Sequence, residues 1–192
     1  MNARVFRRNV VAVICFYLLV TIVLFGAGTL GIEAHPHTYR SIKDAIPLFI
    51  AIPAAWLGYC LQRRQAYLKD VRDLWSKLVP AVQDAIQYTH LKSPTQAEYA
   101  KALKALSVAI EELRAVFSNV GETQADVGLF PFEKIKTIQS VVSRLGFDDT
   151  STPEAARAAR AEIIDSWKLL RYHFLSELER GIPARPDSPF LK

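Results

Sequence analysis

Residues 10–32 form an unbroken run without a charge, and a second uncharged run, residues 45–62, follows a short polar interval. Beyond residue 62 apolar side chains recur every three or four positions among charged ones, the period of helices that bury one face. The pattern thus divides the chain into a doubly apolar first third and a polar-patterned helical remainder.

A membrane-crossing helix needs roughly 20 apolar residues, against about 7 to 15 for the core of a signal peptide. The first run, as a helix, rises about 35 Å and covers a hydrocarbon core of about 30 Å with some tilt. A cleaved signal sequence is the alternative, since the basic start is suitable and Ala27 or Ala34 fits a cleavage pattern. The second run rises about 27 Å and crosses if Tyr59, Gln62 and Arg63 occupy the headgroup zone; otherwise it is a buried or re-entrant helix.

Orientation follows from lysine and arginine in the short flanks. Arg4, Arg7 and Arg8 precede the first run and Arg63, Arg64, Lys69 and Arg72 follow the second, whereas the interval between them holds only Arg40 and Lys43. Both termini are therefore predicted inside, with residues 33–44 as an outside loop. The formal charge of +5 includes five bases and two acids up to Gln62, and nineteen bases and seventeen acids beyond it. The basic excess is chiefly a topology signal, and direct nucleic-acid binding is not expected from it.

Cys15 and Cys60 fall at the inner end of such a hairpin, close enough to meet. A disulfide is not expected on the reducing side, and two apolar thiols suffice. Ala51, Ala54, Ala55 and Gly58 recur at helical spacing in the second span, as Ala27 and Gly31 do in the first. Small residues let backbones approach closely where lipid supplies no hydrophobic drive. The partner of this face is either the other helix of the hairpin or another protomer. Pro47 suits a helix start, while Pro53 lies inside the span, removes a hydrogen bond to the Phe49 carbonyl and predicts a bend.

After the membrane a stripe of Tyr67, Leu68, Val71, Leu74, Trp75, Leu78, Val82, Ala85 and Ile86 marks a helix that Pro80 is expected to bend or split; the pattern lets the second span run straight into it. Ser93, Pro94, Thr95 and Gln96 predict a capping-box start with proline at the first helical position. Tyr99, Leu103, Leu106, Ile110, Leu113 and Phe117, then Val120, form a heptad seam that needs a partner, inside a bundle or across protomers. Phe130, Pro131 and Phe132 introduce a shorter helix ending at Gly146, and Ser151 to Glu154 cap a last helix running to Gly181. The Phe-Pro-Phe turn is either a docking site or a pair of aromatics tucked over the core. The predicted fold is all-α: a transmembrane hairpin over residues 1–62, a cytoplasmic antiparallel helical bundle over 63–181, and a proline-rich tail over 182–192.

Candidate chemistry is sparse. The chain has no phosphate-binding glycine loop, no dinucleotide fingerprint, no HExxH and no zinc-spaced cysteine pair. Glu33, His35 and His37 offer metal-type donors, but two histidines flanking a proline fit a solvated turn. Arg171 and His173 are one residue apart, too close for the Arg-x4-6-His pattern of HEPN-type helical RNases. No enzyme activity, cofactor or metal is expected. The spans carry no ionisable group of the kind that marks an ion path, so a pore would require several protomers, with Tyr17, Thr21, Thr29 and Tyr59 as its few polar groups.

The basic N-terminus, the two-helix hairpin and the compact helical domain together resemble the small two-transmembrane effectors of bacterial antiphage systems, such as SLATT-type proteins and the membrane effectors of some retrons. The resemblance covers the layout of the whole chain and rests on no diagnostic motif. It implies an inner-membrane effector, held silent by its cytoplasmic domain or by a protein inhibitor, that assembles as a homo-oligomer and disrupts the bilayer when released. The competing expectation is a non-enzymatic anchor or adaptor whose bundle recruits a cytosolic partner.

Overall fold

A computed structural model describes residues 3–31, 36–147 and 152–178. The described residues are all-α: α1 (Ala3–Gly31), α2 (Pro36–Tyr88), α3 (Gln96–Val116), α4 (Phe132–Leu145) and α5 (Pro153–Glu177). The only pairing of β type among them is an isolated bridge between Glu122 and Val127. The chain forms two compact units, Met1–Tyr67 and Leu68–Lys192.

In the first unit α1 and the leading part of α2 run antiparallel. Asn9 Nδ2 donates to Cys60 Sγ at 3.5 Å and, further along, the Tyr17 hydroxyl donates to the Ile50 carbonyl at 2.8 Å. Both helices begin earlier than the apolar pattern implied. Helix α1 extends back to Ala3, because Arg4, Arg7 and Arg8 are good helix formers. Helix α2 starts at Pro36 rather than near Pro47, so most of the expected loop over residues 33–44 is helical. Pro36 supplies the preset φ of a first-turn residue, and the polar residues after it are compatible with helix although not with lipid.

The second unit is a four-helix antiparallel bundle built from residues 68–88 of α2 with α3, α4 and α5. Lys77–Glu112 (2.6 Å) and Asp84–Lys101 (3.9 Å) align α2 and α3 in opposite directions. Gln139–Ser107 (2.9 Å) does so for α3 and α4, and Arg144–Glu162 (2.9 Å) joins α4 to α5. The core consists of Val71, Leu74, Leu78, Val82, Ala85, Leu106, Leu113, Ile135, Ile138, Val142, Ile163, Leu170 and Phe174. Trp75 stacks on Trp167 with ring centroids 5.3 Å apart, a contact that adds to simple area burial.

Pro80 does not split α2, which stays helical to Tyr88. The residue is exposed, and the carbonyl it leaves free, that of Ser76, is therefore on the hydrated side. Two residues separate the expected and observed starts of α3. Thr95, not Ser93, is the N-cap, and its hydroxyl accepts from the Glu98 backbone while the Glu98 carboxylate accepts from the Thr95 backbone. Pro94 precedes the cap instead of opening the helix. At α5 the hydroxyl of Thr152 caps the helix and Pro153 opens it. Gly146 closes α4 with φ of 65°, where a side chain would be strained, and its carbonyl accepts from the Tyr88 hydroxyl.

Candidate membrane and assembly surfaces

Two helices, Ala3–Gly26 and Asp44–Tyr88, contain stretches long and apolar enough to cross a membrane. Almost none of either stretch is buried, which is unlike the core helix of a soluble protein. Leu18, Leu19, Ile22, Val23 and Phe25 on α1, and Leu48, Ile50, Ile52 and Trp56 on α2, are large apolar side chains left exposed.

The less exposed positions of the first unit define a seam that the search for small residues missed. On α1 they include Phe6, Val10, Val13, Tyr17, Val20 and Leu24; on α2 they include Ile46, Pro53, Leu57, Cys60 and Arg64. Within each helix the spacings are three, four or seven, those of a knobs-into-holes seam. Cys60 is buried here beside Asn9, while Cys15 is exposed; both are free thiols. Arg64 is buried as well, its guanidinium 5.5 Å from the centre of the Tyr67 ring. Burying the aliphatic stem while the charged head finds an aromatic face is an inexpensive way to keep this cation at an apolar boundary.

Ala51, Ala54, Ala55 and Gly58 are all exposed. At 100° per residue they centre about 140° around α2 from Pro53, Leu57, Cys60 and Arg64. A Cβ added at Gly58 would meet nothing within 4 Å. The small face of α2 is thus not the contact between α1 and α2. Ala27 and Gly31 belong to α1, but the surroundings of both lie outside the description, as do the side chains of Thr29 and His37; Glu33 and His35 lie outside the described residues altogether.

Pro53 faces the seam, half-buried. The Tyr17 hydroxyl bonds the Ile50 carbonyl, the neighbour of the Phe49 carbonyl that proline leaves without a helical donor. Thr21 bonds back to the Tyr17 carbonyl at 2.8 Å, and the Tyr59 hydroxyl accepts from Arg63 at 3.5 Å. Tyr17 is therefore engaged across the hairpin, while Thr21, exposed, bonds only within α1.

In the bundle, Leu106, Ile110 and Leu113 are buried together with Ala102 and Ala109, and Tyr99, Leu103 and Phe117 are half-buried at the margins. Tyr99 packs against Tyr88 and Phe147, and Phe117 against His173 and Phe174. Phe132 is fully buried while Phe130 remains partly exposed against His173. His173 sits among Phe117, Phe130 and Phe174, and burial holds its pKa below the usual imidazole value, with Glu177 opposing that shift. Its surroundings are aromatic, and Arg171 points to the exposed side of α5.

Among the described residues no three His, Cys, Asp or Glu side chains gather as a metal site. Asp148 and Asp149, and the tail over residues 182–192 with Pro183, Pro186 and Pro189, lie outside the described residues. Glu111 and Glu112 are separately engaged, by Arg114 at 3.5 Å and Lys77 at 2.6 Å. Comparison with protein-family profiles, characterised proteins and solved structures returns no match.

Proposed function

We propose that this chain is a two-span integral membrane protein of the bacterial inner membrane, with both termini and the bundle inside, that acts as a membrane effector by self-association. The observation carrying this reading is the exposed face of Ala51, Ala54, Ala55 and Gly58, which turns away from α1 and meets nothing at Gly58. In lipid, helices associate by close backbone approach at small residues. A hairpin that has closed on one face of α2 and kept the small face open is suited to pack against further copies.

Two apolar helices per chain cannot enclose a path, so disruption of the bilayer requires an assembly of protomers. The bundle then serves as the silencing or sensing element, held by a cytosolic protein partner until release. No chemistry by the chain itself enters this account, and no cofactor is invoked.

The test is expression of the full chain in bacteria while following membrane potential and dye entry, with Gly58→Leu as the comparison. Loss of potential that Gly58→Leu prevents supports the effector reading. Potential unaltered in every partner state removes it and leaves the anchor or adaptor reading. That second reading draws on Leu169 and Tyr172, large side chains exposed on α5, a surface suited to holding a cytosolic protein.

A further inference from the structure

Four large apolar side chains stand out from the connection between α3 and α4. Val120, Val127, Leu129 and Phe130 are 63%, 47%, 62% and 42% exposed. The segment that carries them is built rather than slack. Leu129 N–H donates to the Val120 carbonyl at 2.8 Å, Thr123 N–H donates to the Asp126 carbonyl at 3.1 Å, and Glu122 bridges to Val127. Gly121 and Gly128 take φ of 75° and 85°, and a side chain at Gly128 would collide with the Asn119 carboxamide. Such a framework fixes where the four apolar side chains point, so their exposure is a property of the fold and not of a floppy loop.

One of the two carboxylates on this small hairpin, Glu122, is neutralised. Glu122 receives Arg114 at 2.6 Å and Lys136 at 2.7 Å, and Lys136 also bonds the Val127 carbonyl at 3.0 Å. Asp126 accepts from the Thr123 hydroxyl and backbone-caps the turn beside it. Glu122 thus presents no net charge to an anionic surface, and Asp126 is the one acid of the hairpin that keeps its charge.

Its place within the bundle narrows the occupant. Phe130 packs on His173 at 5.0 Å, and the adjacent Phe174 packs on Trp75 at 6.2 Å. The hairpin therefore sits at the end of the second unit where the chain enters at Leu68, opposite the end where Arg160 bonds Thr89 at 2.8 Å. Five residues lie between Leu68 and Gln62, the end of the second apolar run. Even fully extended, they allow a separation of only about 20 Å, whatever the angle between the two units. Lys69 and Arg72 are exposed at the same end, interleaved with exposed Asp70 and Asp73, and their long side chains are of the kind that reach headgroups.

We propose that the Val120–Leu129 hairpin is a lipid-contacting wedge, seating Val120, Val127, Leu129 and Phe130 in the interfacial layer of the bilayer. The proposal rests on the reading that α1 and α2 span that bilayer. It gives the bundle a second, non-covalent attachment to the membrane, made at the end next to the spans, and apolar side chains at that depth gain by leaving water.

The test uses the full chain with Cys15→Ala and Cys60→Ala, in vesicles of phosphatidylglycerol and phosphatidylethanolamine that carry quenchers both near the headgroup and along the acyl chains. A fluorophore is placed in turn at Leu129→Cys, Val120→Cys, Leu19→Cys in the first span, and Val108→Cys on the exposed side of α3. Quenching at positions 129, 120 and 19 with none at 108 is the expected result. Quenching at 19 but at neither 129 nor 120 overturns the wedge and leaves the spans intact. Equal quenching at 108 overturns it in favour of side-on adsorption, and cross-linking between copies at 129 without quenching assigns the face to a second copy. Absence of quenching at 19 removes the membrane reading itself.

Discussion

The Tyr17 hydroxyl donates to the Ile50 carbonyl at 2.8 Å across the two helices of the first unit. This bond reaches one residue from the carbonyl that Pro53 deprives of its helical donor, and it does so from a side chain on the seam. Polar groups in lipid that lack partners are costly, so the bond gives the Tyr17 hydroxyl an acceptor and keeps the α1–α2 register. Replacing Tyr17 with Phe keeps the ring and removes the donor. The variant is expected to lose about 0.6 to 1.7 kcal/mol, the range for interhelical hydrogen bonds in membranes. Unfolding of the full chain from mild detergent into a denaturing one measures it.

Gly58→Leu makes the opposite kind of demand. Nothing lies within 4 Å of a Cβ at this position, so the hairpin itself has room for the new side chain. Association through the small face does not. Cross-linking in lipid is expected to fall about tenfold, equivalent to about 1.4 kcal/mol, while detergent unfolding of the hairpin stays unchanged. Equal cross-linking in both proteins would show that this face is not used.

Legibility differed between the two parts for physical reasons. Helical periodicity and caps set by local chemistry, such as Thr152 with Pro153 and Gly146, are readable because each acts within one or two turns. The start of α3 was displaced by two residues because Ser93 and Thr95 offer the same capping oxygen, and Glu98 at the right spacing selects Thr95. Pro80 was overread. A proline on the hydrated side of a helix loses little, and the flanking core residues Leu78, Ala81 and Val82 hold the axis together. The hairpin seam was harder to read, because in an all-apolar run every position looks equally buried and the choice of Val13, Tyr17 and Cys60 depends on the partner helix. Exposure of Val120 and Leu129 left no periodic signal, since it is decided by the turn that carries them.

Leu106 and Leu113 are fully buried on α3, whereas Leu103 on the same helix is half-buried. Leu106→Ala or Leu113→Ala removes core volume that the packed bundle cannot refill and is expected to cost about 2 to 5 kcal/mol. Leu103→Ala is expected to cost less. Thermal or denaturant unfolding of the bundle, followed in the full chain in mild detergent, gives the order. If Leu103→Ala proves the most damaging, the core assignment of α3 is wrong.

His173 supplies a pH dependence with a definite sign. Its pKa is lowered in the fold, first by burial among Phe117, Phe130 and Phe174, with Glu177 acting the other way. A group whose folded value lies below its unfolded value favours the neutral form in the native state, so its contribution is fully present above the unfolded imidazole value of about 6.5 and is lost as pH falls through the folded value. The bundle is therefore expected to melt at a lower temperature at about pH 5.5 than at about pH 7.5, the window set by that unfolded imidazole value. His173→Phe removes the titrating ring while keeping an aromatic against Phe130. Melting of this variant should lose the part of the pH slope that lies below the imidazole range. A variant slope identical to that of the parent chain over this window would show that His173 does not carry it; Glu98 and Glu122, whose pKa values hydrogen bonds from Thr95 and Lys136 hold low, lose their contribution only as pH falls below the unfolded carboxylate value of about 4.3.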